Sequence, residues 1–177
     1  MSQSPDAPRE DSPFWRFSLR FYARTKVSAA CLVLQDEAGV DVNLLLFLLF
    51  LSEHQRQVNA EDIAEIDRAV VAWRVSVVKP LRSLRRALKT GIGDISVTVS
   101  ETFRGQIKRL ELESEHIEQS VLERFETTKL GAFCASRLVA AAANIAAYET
   151  YLKAFSAEAK ATILAAFAEF GPHHPAN

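Results

Sequence analysis

The sequence predicts an all-α protein: a compact bundle of about seven helices, with a long antiparallel helical hairpin in its C-terminal half. Three observations carry this. Apolar residues recur at steps of three and four through nearly every segment. The breaks between segments are capping residues, prolines and glycines rather than hairpin dipeptides. Strand-like alternation occurs only at Ile95-Ser-Val-Thr-Val99, which has no partner strand and reads as an extended linker. The 177 residues, 49% hydrophobic and 24% charged, suffice for one domain with a real core. Within it, residues 12–90 form an aromatic- and Arg-rich half, 91–98 a linker and 99–170 a long-helix half. Residues 1–11 and 171–177 read as disordered ends.

Ser12-Pro13 is a helix start, a capping hydroxyl followed by proline at the first helical position. On this helix Phe14, Phe17 and Phe21 share one side, Trp15, Leu19 and Tyr22 widen it, and Arg16, Arg20 and Arg24 form the opposite ridge. A second helix is expected from Thr25 to Ala38, stopped by Gly39. Asp41 caps a third, which carries the run Leu44 to Leu51. Eight apolar residues cannot cross a bilayer, so this helix is expected to be buried on all sides. Asn59 caps the next, whose seam is Ile63, Ile66, Val70, Trp73 and Val77, and Pro80 should break or kink it near Val78. A short helix follows to Lys89. The long helix is expected over 100–126, with a seam of Phe103, Ile107, Leu110, Ser114, Ile117 and Val121. Its hairpin partner is expected over 132–155, and a last helix from Ser156 to Phe170.

Composition narrows function mainly by exclusion. The formal net charge is −1, so no overall field draws the chain to nucleic acid or membrane. The acidic, proline-containing start is unlike a signal peptide, and two cysteines in apolar runs suit a reducing cytoplasm. No phosphate loop, nucleophile elbow or Cys-x-x-Cys motif is present, so catalytic residues are unassigned and no cofactor is implied. Glu113 and His116 form a single Glu-x-x-His pair. A di-metal bundle site needs two such pairs and two further glutamates, so no metal site is assigned, and the surrounding glutamates read as a solvated surface.

The most informative segment is basic: Lys79, Arg82, Arg85, Arg86 and Lys89, with no acid among them. The last four share one helix face. That stripe is either a solvated surface, paired with the protein's own acids, or a seat for an anion. Asp36 and Glu37 fall at a helix C-terminus, where negative charge is unfavourable, and with Asp41 make an acidic corner around Gly39. The expectation is that this corner meets the basic stripe or the Arg16/Arg20/Arg24 ridge, as an ion-pair network or as the walls of a pocket. Asn43, two residues after Asp41, reads either as a first-turn polar contact in that pocket or as an inward-facing polar group beside the apolar helix, with Trp15 and Trp73 as the pocket's apolar walls.

Five strings coincide with these features: Phe14-Trp-Arg-Phe-Ser-Leu19, Ala30-Cys-Leu-Val-Leu-Gln-Asp36, Gly39-Val-Asp-Val-Asn-Leu-Leu-Leu-Phe47, Trp73-Arg-Val-Ser-Val-Val-Lys-Pro-Leu-Arg82 and Gln106-Ile-Lys-Arg-Leu-Glu-Leu-Glu113. Together, over about residues 13 to 125, they resemble a small proteobacterial family catalogued only as a domain of unknown function. The resemblance implies a small bacterial cytoplasmic protein and brings no activity, cofactor or site residue with it. The leading expectation is a non-catalytic interaction or adaptor module whose partner is another protein or a second copy of itself. The alternative is a binder of, or enzyme acting on, a small anionic ligand between the acidic corner and the basic stripe. Nucleic acid ranks last among the partners.

Overall fold

The computed structural model describes residues 8–9, 11–127, 129–152 and 155–171. The two end segments expected to be disordered, with His173 and His174, fall almost wholly outside these residues. The helices are α1 (Pro13–Tyr22), α2 (Val27–Ala38), α3 (Val42–Glu53), α4 (Ala60–Trp73), α5 (Lys79–Ala87), α6 (Val97–Leu122), α7 (Arg137–Leu152) and α8 (Ala157–Glu169). A π-helical turn, Arg74–Val78, joins α4 to α5 into one continuous rod, giving seven rods among the described residues.

α3 is the axis. Leu44 through Leu51 are all buried, as an unbroken apolar run requires, and α1, α6 and α7 pack around it. Phe14, Phe17 and Phe21 seal the α1 side, with Phe14 edge-on to Phe47 at 5.2 Å. α2 lies against α8, and α4 bridges α6 and α7. The expected caps form: Ser12 Oγ accepts from Trp15 N–H, Asp41 from Asn43 and Leu44, and Asn59 closes a reciprocal box with Asp62.

Four features depart from the sequence reading, each for a physical reason. Pro80 does not break its rod. Proline removes an N–H and crowds the carbonyl four residues back. The preceding turn widens instead, so that Lys79 N–H reaches Arg74 O, five residues away. α6 begins at Val97, because Ile92 and Ile95 bond to each other across a tight turn and leave no extended linker. α7 begins only at Arg137, because Ala132–Phe133 (β2) pairs antiparallel with Arg56–Gln57 (β1). Gly131 makes that approach: its φ is +66°, and a Cβ there would lie 2.3 Å from Gln57 O. Finally, α6 and α7 do not spend their seams on each other. α7 packs on α3, α4 and α8, and α6 on α5, α3, α4 and α1, so the two long helices flank the centre instead of zipping into a coiled-coil-like pair.

The inward face of α6 is the main correction. Leu110 and Phe103, expected in its seam, are half exposed. The buried line is Ile107, Glu111, Ser114, Glu118 and Leu122, with Gln119 beside it. Glu111 and Glu118, read as solvated surface, thus face the interior, while Glu113 is exposed as expected, and this polar seam builds the site.

Candidate functional site

At the N-terminus of α3, Asp41 is buried, and its Oδ1 accepts from the N–H groups of Asn43 at 2.8 Å and Leu44 at 3.2 Å. Its other oxygen is held by Arg74, the first residue of the widened turn, which also reaches Asp67 at 2.6 Å. Tyr151 donates to Asp67 at 2.9 Å, and the Asp41 N–H donates to the Tyr148 hydroxyl at 3.0 Å. From α6, Glu118 Oε2 accepts from Asn43 Nδ2, and Gln119 Nε2 donates to Asn43 Oδ1, both at 2.9 Å. A chain of polar contacts therefore runs through the bundle from Gln119 to Tyr151.

Burial, and then the Asp41 charge beside it, push the Glu118 carboxyl up to about 10, so it stays protonated at neutral pH and hydrogen-bonds to Asp41. Burial also opposes ionisation of Asp41. The Glu118 hydrogen bond and the Arg74 guanidinium outweigh it and hold the Asp41 carboxyl below its ordinary range. Glu118 Oε2 accepts from Asn43, and Oε1 is the oxygen left without a donor among the described residues. Besides Glu118 Oε1, two buried side-chain oxygens have no hydrogen-bond partner among the described residues: Ser18 Oγ and Gln119 Oε1.

Both residues line one groove of about 820 Å³ between α1, α2, α3, α5 and α6, a size typical of small-molecule sites. Trp15, Leu19 and Tyr22, the residues that widen the apolar face of α1, form one wall, and Leu32, Leu46 and Leu112 form others. Leu19, Leu32 and Leu112 expose 48%, 44% and 48% of their surface, so three leucines from three helices converge there without being covered. A smaller cavity of about 90 Å³, lined by Asp41, Glu118, Arg74 and Lys79, adjoins it, sharing Asn43, Gln35 and Arg82.

The basic stripe meets acids, chiefly those of α6. Arg82 bonds Glu111 at 3.1 Å and Glu115 at 2.5 Å, and Arg85 clasps Glu111 with two nitrogens. Of the acidic corner, Asp36 makes a two-point pair with Arg86 at 3.0 and 2.6 Å on the surface, Glu37 is exposed, and Asp41 is buried on Arg74 instead. Corner and stripe touch at the surface through Asp36–Arg86, and Asp41 of the corner and Asn43 line the smaller cavity together with Lys79 and Arg82. Arg16 and Lys89 are exposed, and Arg20 lies over the Phe170 ring at 5.2 Å. Trp73 lines neither cavity; its indole N–H donates to Ser114 O at 2.9 Å. Of the sequence candidates, the groove collects Asn43, Arg82, Arg85 and Trp15. Lys79 and Asp41 line only the smaller cavity.

Sequence reasoning missed Arg74, Glu118, Gln119, Ser18, Lys108 and Arg109. A signal existed for the α6 residues: Glu111, Ser114 and Glu118 continue the steps of Ile107 at four, three and four. His116 stacks on Trp15 with ring centroids 4.0 Å apart, its Nε2 3.2 Å from Arg9 O. No group of three or more His, Cys, Asp or Glu side chains among the described residues could hold a metal ion. Burial pushes the Cys31 thiol up to about 12, away from nucleophile chemistry. No described helix is long and apolar enough to cross a membrane.

No curated protein and no solved structure matches the chain. A family model described as "Protein of unknown function (DUF2390)" matches residues 13–122, well over half of the sequence, and the chain belongs to that family.

Proposed function

We propose that this protein binds a small, largely apolar molecule in the groove between α1, α2, α3, α5 and α6, and that it does so in a bacterial cytoplasm. The observation that carries this is that two of the three buried side-chain atoms without a hydrogen-bond partner among the described residues, Ser18 Oγ and Gln119 Oε1, belong to residues on the lining of this large groove. An uncompensated buried polar group costs about 1–3 kcal/mol, and a bound ligand would supply the missing partners. Gly105 supports the same reading. It lies on the groove lining in the interior of α6, where glycine costs about 0.5–1 kcal/mol relative to alanine, and a Cβ there would meet nothing within 4 Å. The space above it is open.

That glycine gives the test. Gly105→Ala is expected to raise the unfolding free energy by about 0.5–1 kcal/mol. Gly105→Trp is expected to fold at least as well as the wild type while filling the groove. Native mass spectrometry of protein gently purified from its own type of cell should show a reproducible small added mass on the wild type and on Gly105→Ala, and none on Gly105→Trp. A bare wild-type mass, or an adduct that survives Gly105→Trp, would refute the reading.

A second reading, an interaction surface for another protein or a second copy, has its own observation. Val99 and Phe103 lie four residues apart at the start of α6, 74% and 50% exposed, with Ile92 and Ile95 half exposed in the turn before them. Phe103→Asp should then shift the oligomeric mass measured by light scattering from dimer to monomer, or abolish crosslinking to a partner. A monomer in the wild type with no crosslinked partner would dismiss it.

A further inference from the structure

We infer that the groove's ligand is an amphipathic anion: a hydrogen-bond donor at its buried end, an apolar body, and a carboxylate or phosphate at the mouth. This rests on the groove-binding reading and orders the ligand's chemistry along the groove.

The buried end is set by Gln119. Its side chain cannot present either face freely, because Asn43 fixes it. Asn43 Nδ2 is committed to Glu118 Oε2, so Asn43 Oδ1 must receive a donor, and Gln119 Nε2 supplies it at 2.9 Å. Gln119 Oε1 is therefore left as an acceptor at the groove lining, with no donor among the described residues. Gln119 is 4% exposed and Ser18, the other partnerless group, 3%. A ligand hydroxyl or N–H placed at Gln119 Oε1 satisfies that acceptor, and the Ser18 hydroxyl can donate to or accept from a polar group of the same ligand. The middle is apolar, walled by Leu19, Tyr22, Leu32, Leu46 and Leu112.

The mouth is positive. Four cations line the groove, Arg82, Arg85, Lys108 and Arg109, against two carboxylates, Glu111 and Glu115. Those carboxylates are already spent on Arg82 and Arg85. Lys108 and Arg109 are exposed and have no ion-pair partner among the described residues, in a chain whose net charge is −1. Two neighbouring uncompensated cations beside an uncovered apolar wall complement an anionic group on an apolar chain, and oppose a cationic or wholly neutral one.

The test is calorimetric titration of the full chain with four ten-carbon probes: 10-hydroxydecanoate, decanoate, decyl phosphate and 1,10-decanediol. In the wild type at low salt, 10-hydroxydecanoate is expected to bind about tenfold more tightly than decanoate, which lacks the inner donor, and about tenfold more tightly than the diol, which lacks the charge. The second margin should narrow as salt rises. Decyl phosphate against decanoate identifies which anion the mouth prefers. Lys108→Ala/Arg109→Ala should erase the advantage over the diol and leave diol affinity unchanged. Gln119→Met should erase the advantage over decanoate. Equal binding of diol and hydroxy acid, equal binding of decanoate and hydroxy acid, or no binding of any probe would overturn the inference. Groove binding itself would still stand if the native adduct is lost in Gly105→Trp. Should Gly105→Trp leave both the adduct and the probe affinities intact, the groove reading and this inference fall together.

Discussion

At pH 8, Glu118→Gln is expected to be more stable than the wild type by about 2–4 kcal/mol, and the difference should nearly vanish at pH 5. The reason is proton linkage. An unfolded glutamate titrates near 4.3, whereas burial and the neighbouring Asp41 carboxylate push Glu118 up to about 10 in the native protein. The native value is the higher of the two. Between them the unfolded chain has released a proton that the native protein keeps, so this group's stability is fully present below the unfolded value and declines as pH rises, by at most about 1.4 kcal/mol per pH unit. Glutamine is the permanent equivalent of the protonated acid. Its amide donates to Asp41 as the acid proton does, and its carbonyl accepts from Asn43 as Oε2 does.

The groups facing Glu118 do not reverse the sign. Asp41 is held below its ordinary range, so its contribution is present above the unfolded value of about 4 and is lost only in stronger acid. Arg74 stays charged throughout. Glu115 is raised by burial in the same direction as Glu118, so a shallow slope should persist in the variant. Urea unfolding at pH 5, 6.5 and 8 checks this. The wild-type midpoint should fall with pH and that of Glu118→Gln should stay nearly level. Parallel profiles would show that Glu118 is not protonated in the native protein.

What the sequence could and could not disclose follows from where each side chain finds its partners. α3 was legible because a run with no polar face has only one environment open to it. α1 was legible twice over: Phe14, Phe17 and Phe21 make the core, and the surplus width of Trp15, Leu19 and Tyr22 becomes the groove wall. The basic stripe was visible as a stripe, but its acids were sought in the nearest acidic corner. Most of them lie on α6, Glu111 and Glu115, about thirty residues further on. The α6 seam slipped by one residue for the same reason. Periodicity identifies a buried face when that face is apolar, whereas Glu111 and Glu118 are buried because an arginine pair and a shared proton neutralise them. Arg74 gave no local sign. Its role depends on the turn that Pro80 widens, which brings it within reach of both Asp41 and Asp67.

Arg74→Met is expected to cost about 3–5 kcal/mol, the largest loss of any single substitution considered. Its guanidinium joins Asp41 on the α3 cap to Asp67 on α4, and it is the cation next to three carboxyl groups, Asp41, Asp67 and Glu118. Removing it leaves Asp41 as an uncompensated charge at a site 6% exposed. Two further variants separate the ion pair from simple loss of side-chain volume. Arg74→Lys keeps the charge but not the planar fork that spans two carboxylates, so it should lose roughly half as much. Asp41→Asn retains a good capping side chain for α3 while discharging the pair, so Arg74→Met in an Asp41→Asn background should cost at least about 2 kcal/mol less than it does alone. The pH dependence gives a third check. Without Arg74 the buried carboxyls must take up protons to be tolerated, so stability should fall with rising pH more steeply in Arg74→Met than in the wild type. Unfolding measured from pH 5 to pH 8 would show this. Additive losses in the double variant, together with an unchanged slope, would mean that Arg74 acts through packing alone and that the Asp41–Glu118 pair does not depend on its charge.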